Sequence, residues 1–248
     1  MATRRRLDLE IARRGLAPSR EGAQRLIMAG RVRVNSQPAL KADQSVDEQS
    51  AIALVGESSE YASRAGVKLA AALDHFGVDP AGRRAMDVGA STGGFTDVLL
   101  RRGAAHVLAL DVGYGQIADR LRRDSRVTVL DRTNIRLVEA SSLPYAPEIV
   151  VIDVSFISLR LVIPPVLDLS APAVEIVALI KPQFEVGKGQ VGKGGVVRDE
   201  AQRRGAVDQV LEFAAGLGLE VAGAIQAPIR GAAGNQEFVA LMCRHGVK

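Results

Sequence analysis

The sequence predicts two units: a large α/β unit built on a doubly wound sheet, and a small α+β unit ahead of it. Three observations carry this. Short apolar runs recur from residue 84 onward, and several end in Asp or Lys. Helical patterns separate them, as in βαβ units. A glycine-rich stretch, Asp87-Val-Gly-Ala-Ser-Thr-Gly-Gly-Phe95, joins one run to a helical pattern. Strand, glycine turn and helix form a place where backbone can approach a ligand, because glycine lacks Cβ and tolerates positive φ. The helix start adds unsatisfied N–H groups.

The small unit is expected over residues 1–60. Arg4 to Gly15 carries Leu7, Leu9, Ile11 and Ala12, which predicts a helix with Gly15 as C-cap. Pro18-Ser19 opens a second helix, with Ser19 as N-cap, running through Ala23, Leu26, Ile27 and Met28 to Gly30. A strand at Arg31–Val34, a turn at Asn35–Pro38 and a strand at Ala51–Val55 follow. Ten basic residues (Arg4, Arg5, Arg6, Arg13, Arg14, Arg20, Arg25, Arg31, Arg33, Lys41) face three acids (Asp8, Glu10, Glu21) up to Lys41. Such a face suits phosphate contacts, with Arg4, Arg6, Arg20 and Arg33 as candidates. It also suits plain solvation.

Gly56–Glu60 reads as a polar linker, and the large unit is expected over 61–248. Ser63 to Phe76 is an amphipathic helix containing Lys68. Strands are expected at the approach to Asp87, then at His106–Asp111, Arg126–Asp131, Glu148–Asp153 and Glu175–Lys181. Their continuous apolar character suits strands of a parallel sheet buried on both faces. A helix over 200–215 precedes two last strands, Leu219–Ile225 and Glu237–Cys243. Asp87, Asp111, Asp131, Asp153 and Lys181 all fall at C-terminal strand ends, where ligands sit in such sheets.

Composition excludes several classes. Hydrophobic residues make up 47% of 248, enough for a sizeable core, and tryptophan is absent. A formal charge of +4 permits a nucleic-acid partner without requiring one. One cysteine, Cys243, rules out an internal disulfide framework and fits a reducing, cytoplasmic setting. The basic N-terminus lacks a following apolar run, so no secretory signal is expected, and no apolar stretch is long enough to span a membrane. His75, His106 and His245 are too scattered for a zinc cluster, so no metal is expected. Gly187 to Lys193 fits G-x-x-x-x-G-K, but Gly194 stands where a phosphate-binding loop needs Ser or Thr. A loop at the site mouth bearing Lys188 and Lys193 is the better reading, as a lid over nucleic acid or a plain surface loop.

The dinucleotide fingerprint G-x-G-x-x-G fails at Ala90-Ser91. The turn resembles instead the first motif of S-adenosylmethionine-dependent methyltransferases. That resemblance implies a Rossmann-like sheet, with S-adenosylmethionine held by Asp87, Gly89, Ser91, Thr92, Gly93, Gly94 and Phe95. It also implies Asp111 on the ribose hydroxyls and Asp131 nearby. Ser19 to Asn35, S-R-x-x-A-x-x-L-I-x-x-G-x-V-x-V-N, resembles the S4 RNA-binding domain.

Methyl transfer to a ribose hydroxyl needs a base. A lysine serves only if burial or a neighbouring cation favours its neutral form. Lys68, Asp153, Lys181 and Glu237 could form a group of two lysines oriented by two carboxylates. Nearly the whole chain is similar to the TlyA (haemolysin A) family of ribosomal-RNA 2′-O-methyltransferases, an S4 domain joined to an FtsJ-like domain. The matching stretches are Ser63–Leu69, Asp87–Phe95, Asp111–Gln116, Asp153–Leu159, Lys181–Gln190 and Gly234–Phe238. The resemblance places the family's K-D-K-E tetrad on Lys68, Asp153, Lys181 and Glu237, with Lys181 as base and Lys68 as its neighbouring cation. It implies a cytidine of large-subunit 23S rRNA as target, with 16S rRNA as a further substrate of longer members. The short run after Met242 points to the shorter kind. A ribosomal RNA or subunit is the expected partner. Two rivals stand beside this: an RNA base N-methyltransferase and a haemolysin-type membrane-active protein. Asp153-Val-Ser-Phe156 lacks the Pro-Pro turn of the first.

Overall fold

The computed structural model describes residues 4–17, 19–28, 30–54, 60–187, 189–192, 194–231 and 233–246. Pro18, Val55, the linker residues 56–59 and the candidate lysines Lys188 and Lys193 lie outside the described residues. The chain divides into two compact units, Met1–Ser59 and Glu60–Lys248.

The first unit contains β1 (Arg5–Arg6), α1 (Leu7–Arg13), α2 (Arg20–Met28), β2 (Val32–Val34), β3 (Gln37–Pro38), β4 (Ser45–Val46) and β5 (Ile52–Leu54). Ser19 accepts the Gly22 N–H at 3.0 Å, which starts α2. Asn35 and Ser36 both take positive φ, 49° and 66°, which closes the β2–β3 hairpin. The small sheet runs β3-β2-β5, and β1 pairs with β4. Leu7, Ile11, Ala23, Ile27, Val32 and Val46 form its core. The β1–β4 pair has no sequence signal, since two-residue strands carry no periodicity.

The second unit contains α3 (Ala65–Phe76), β6 (Arg84–Val88), α4 (Gly94–Arg101), β7 (His106–Leu110), α5 (Asp119–Arg122), β8 (Val127–Leu130), β9 (Ile149–Ile152), α6 (Ile163–Leu169), β10 (Val174–Ile180), α7 (Pro182–Glu185), α8 (Glu200–Gly216), β11 (Glu220–Gln226) and β12 (Phe238–Arg244). The strand order is β11-β12-β10-β9-β6-β7-β8. β6 to β10 are parallel, as the apolar runs predict. The last strand departs from this direction. β12 runs antiparallel to both β10 and β11. The chain turns back directly after β11 without a crossover helix, so β12 can enter only in the reverse direction.

Alternate residues of each strand feed two cores, one on each face. Ile149, Val151, Val177, Leu179, Val239 and Leu241 pack with α3 and α4. Val150, Ile152, Ile176, Ala178, Ile180 and Met242 pack with α6 and α8. Pro164 and Pro165 fall in the first turn of α6, where the missing N–H groups cost nothing.

Candidate active site

All five parallel strands stop at one edge. Gly89, Asp111, Asp131, Asp153 and Lys181 follow β6, β7, β8, β9 and β10 there. β12 runs the other way, so it begins at that edge, with Glu237 just before it. Phe238 is paired with Ile180, which sets Glu237 beside Lys181. Lys68 comes from the buried face of α3, and its ammonium makes a short ion pair with Glu237 Oε2. Lys181 Nζ lies 2.7 Å from Asp153 Oδ1 and donates to Ser155 Oγ at 2.9 Å. The Lys181–Asp153 contact is an ion pair without hydrogen-bond alignment, since Asp153 Oδ1 makes no hydrogen bond among the described residues. The four tetrad candidates thus form two adjacent lysine–carboxylate pairs. The backbone of Gly231 packs onto the Glu237 carboxylate so closely that a side chain there would collide with it.

The glycine turn is held from below. Asp87 is fully buried, and its Oδ2 accepts Thr96 N at 2.9 Å and Thr96 Oγ1 at 2.6 Å. Its Oδ1 is buried with no hydrogen bond among the described residues. Burial pushes the carboxyl up to about 7; the Thr96 hydroxyl works against this, and the charges of Asp153 and Asp111 add to it. Gly89 takes φ +88°, and a Cβ there would stand 2.5 Å from the Asp153 carbonyl oxygen. That glycine is therefore needed for strand-end packing inside the chain itself. Gly93, at φ +90°, packs on Leu121 and Ile117, and Gly94 on Ser63. Ser91 takes φ +47°. Its N–H donates to Asp111 Oδ2 at 2.8 Å, while Gly113 N donates to Oδ1 at 2.7 Å. Asp111 so joins the turns after β6 and β7.

Other candidates are placed differently from one another. Thr92 is half-buried, and Phe95 is buried in the core under α4. Asp131 pairs with Arg122 at 3.0 Å. In the first unit, Arg6 and Arg20 both bind Asp8, which is fully buried and also accepts Gln24 at 2.7 Å. The Arg6 hydrogen bond, more than any other contact, holds the Asp8 carboxyl far below the usual range. Arg33 donates to the Ser36 carbonyl, and Arg4 is exposed. Two of the four candidate arginines are therefore partly committed to a structural acid. Counting Asp8 only as an offsetting charge hides this.

Several site residues escape sequence reasoning. Phe156 is 90% exposed at φ +65°, with its ring 5.1 Å from that of Phe184. Phe156 directly follows Ser155, the hydrogen-bond partner of Lys181. Glu185 is buried and accepts Ser158 Oγ and Leu159 N, at 2.6 and 2.8 Å, tying the loop after β9 to α7. Asn235 accepts Val197 N and donates to the Gly195 carbonyl, anchoring the end of the glycine-rich loop. Among the described residues, no cluster of three or more His, Cys, Asp or Glu could hold a metal.

A doubly wound sheet with a glycine turn and acids along one edge, preceded by a small basic unit, defines a methyltransferase with an appended RNA-binding module. The comparisons agree with both parts. Residues 61–244 match the FtsJ-like methyltransferase family and residues 5–52 the S4 domain, and the chain belongs to that methyltransferase family in its TlyA branch. It is 49% identical to the 16S/23S rRNA (cytidine-2′-O)-methyltransferase TlyA of Mycobacterium tuberculosis, over 96% of this chain and 89% of that protein. It is 37% identical to Hemolysin A of Brachyspira hyodysenteriae, over 95% and 98%. A solved structure from Streptococcus thermophilus superimposes with a TM-score of 0.76 at 38% identity, covering 98% of this chain and 90% of that one.

Proposed function

We propose that this enzyme transfers a methyl group from S-adenosylmethionine to the 2′-hydroxyl of a cytidine in ribosomal RNA. One observation carries the reading: the Lys68–Glu237 and Lys181–Asp153 pairs stand side by side at the strand edge that also carries the glycine turn. The relative from M. tuberculosis bears that activity in its name. The K-D-K-E tetrad that the family resemblance implies for Lys68, Asp153, Lys181 and Glu237 supports carrying it over.

The residues present fit the cofactor. The turn Gly89–Phe95 is open at Ser91, the carboxylate of Asp111 stands at its rim, and Asp87 beneath it has an oxygen without a hydrogen bond among the described residues. Asp111 binds the ribose hydroxyls, Asp131 lies beside it, and Gly89, Ser91, Thr92, Gly93 and Gly94 shape the cradle. Asp87 and Phe95 support that turn from the interior. When bound, the cofactor supplies a methyl group on a sulfonium, an electrophile that needs no acid. The nucleophile does need help. In its neutral form, after giving up the ammonium proton to solvent, Lys181 Nζ takes the proton of the 2′-hydroxyl, and Asp153 and Ser155 aim that nitrogen. Lys68 contributes a cation held by Glu237. Phe156 offers an exposed face on which a nucleobase can stack, worth about 1–3 kcal/mol per base.

The division of labour falls at residue 60: 1–60 binds RNA through Arg4, Arg6, Arg20 and Arg33, and 61–248 carries the chemistry. Lys188 and Lys193 add phosphate contacts. The ribosome as partner places the work in the cytoplasm. A base N-methyltransferase has no use for Lys181 as a base. A membrane-lytic role has no spanning helix to act through, since no helix among the described residues is long and apolar enough to cross a membrane.

The test is mass-spectrometric mapping of rRNA after incubation of each purified ribosomal subunit with the enzyme and labelled cofactor. A new 2′-O-methylcytidine is expected. Label on a base nitrogen would overturn the reading.

A further inference from the structure

The inward stripe of α8 changes character along its length. Val207, Val210 and Ala214 are buried against the sheet. Near the same helical spacing, one and two turns earlier, stand the half-buried Arg203 and the exposed Arg204 and Glu200. A helix that only packed on the sheet would continue the apolar stripe. Instead a cleft of about 450 Å³ opens between these charged residues and the ends of β11 and β12. Gln226 and Gln236 line its far side, Gln236 donating its Nε2 to the carbonyls of Ala227 and Glu237, and Val207, Ala224 and Phe238 are its apolar members. Gln226 is the register partner of Phe238, so both project to the same face. Arg203 is braced: Nη1 donates to the carbonyls of Val197 and Arg198, at 3.4 and 3.0 Å. Its Nε and Nη2 make no hydrogen bond among the described residues. Arg204 pairs with Glu200 at 3.1 Å.

The cleft adjoins the reaction edge. Gln236 directly precedes Glu237, about 3.8 Å away between Cα atoms. Alternation sends Glu237 to Lys68 on one face of the sheet and Gln236 with Phe238 to the other. The cleft and the tetrad are thus the two sides of one strand end. Guanidinium groups suit phosphate. Side-chain amides suit the edge of a base. A few polar groups converging beside apolar members, in a volume within the ~300–1,000 Å³ of small-molecule sites, describe a pocket larger than a lone phosphate requires.

We propose that the cleft between α8 and the β11–β12 ends holds a nucleotide next to the methylated one, with Arg203 and Arg204 toward its phosphate and Gln226 and Gln236 toward its base. This rests on the function proposed above. The RNA strand would cross the edge at Glu237, with the reacting ribose at Lys181 and its neighbour in the cleft.

The experiment uses the full-length enzyme and ribosomal subunits lacking the modification. Arg203→Ala, Arg204→Ala and Gln226→Ala are compared with Arg84→Ala, an exposed arginine at the opposite end of the sheet. Steady-state methyl transfer is measured over a range of salt, and cofactor affinity by calorimetry. Each cleft arginine variant should raise KM for the subunit about tenfold, the loss of one charge-assisted contact. The salt dependence should fall by about one unit of slope per lost contact. kcat, cofactor affinity and the Arg84→Ala enzyme should stay at wild-type values. Arg203→Lys should recover part of the loss. Should Arg203→Ala fail to fold, Arg204→Ala and Gln226→Ala decide. Unchanged KM in the cleft variants, with an active wild type, overturns the cleft and leaves the function standing. A wild type that methylates no RNA removes both.

Discussion

Removing Lys68 should cost stability and activity together, and the two losses can be separated. The Lys68 and Glu237 side chains are 9% and 4% exposed, so each depends on the other for compensation. Deleting one member of a buried pair leaves an uncompensated charge and costs about 3–5 kcal/mol, whereas replacing both can be close to neutral. Lys68→Met should therefore lower the free energy of unfolding of the methyltransferase unit by about that amount. Lys68→Met with Glu237→Gln should recover most of it, because a neutral amide can stay buried at lower cost. Both enzymes should be inactive, since both lack the lysine. Urea denaturation gives the first quantity and single-turnover methyl transfer the second. Equal stability of the single and double variants would refute the coupling. Full activity in the double variant would refute the assignment of the pair to the site.

Three further outcomes follow from the geometry. Lys181→Ala should lower the single-turnover rate by about 10²–10⁴, the usual worth of a general base, with cofactor affinity unchanged. A rate near wild type would assign the proton to another group. Asp111→Ala removes an acceptor that joins Ser91 N and Gly113 N as well as the proposed ribose contacts, so cofactor affinity should weaken by about 1.5–3 kcal/mol per charged hydrogen bond in calorimetric titration. Unchanged affinity would remove Asp111 from the cofactor site. Asp87, raised to about 7 in the fold, binds a proton there that the unfolded chain has already released near pH 4. Its contribution is fully present below about pH 4 and is lost as pH rises through about 7. Asp87→Asn should flatten this part of the pH–stability curve, read from urea midpoints at pH 5 and pH 8; parallel curves would contradict the raised carboxyl.

The parallel strands were legible in the chain alone. β6 to β10 lie within about two residues of the apolar runs, because a strand covered on both faces is apolar over most of its length. The acids after β7, β8 and β9 and the lysine after β10 were legible for the same reason: the first polar residue after such a run marks where burial stops; Asp87 instead lies inside β6 and is fully buried. α2 was legible through Ser19 and Gly30, since caps are local chemistry. Residue types sufficient for the reaction could be listed in this way, and the resemblance could name a tetrad.

The tertiary structure decided which of these groups meet. Lys68 and Glu237 are 169 residues apart in the chain and become partners only because β12 enters antiparallel beside β10. No local pattern encodes that direction, which follows from the missing crossover after β11. The packing role of Gly89 against the Asp153 carbonyl, and the burial of Asp8 between Arg6, Arg20 and Gln24, were equally invisible. So was the cleft beside α8, of which the sequence shows only a helical period over 200–215. Periodicity reports whether a side chain is turned inward. What it meets there depends on which distant segment the fold brings opposite, and that is a property of long-range packing alone.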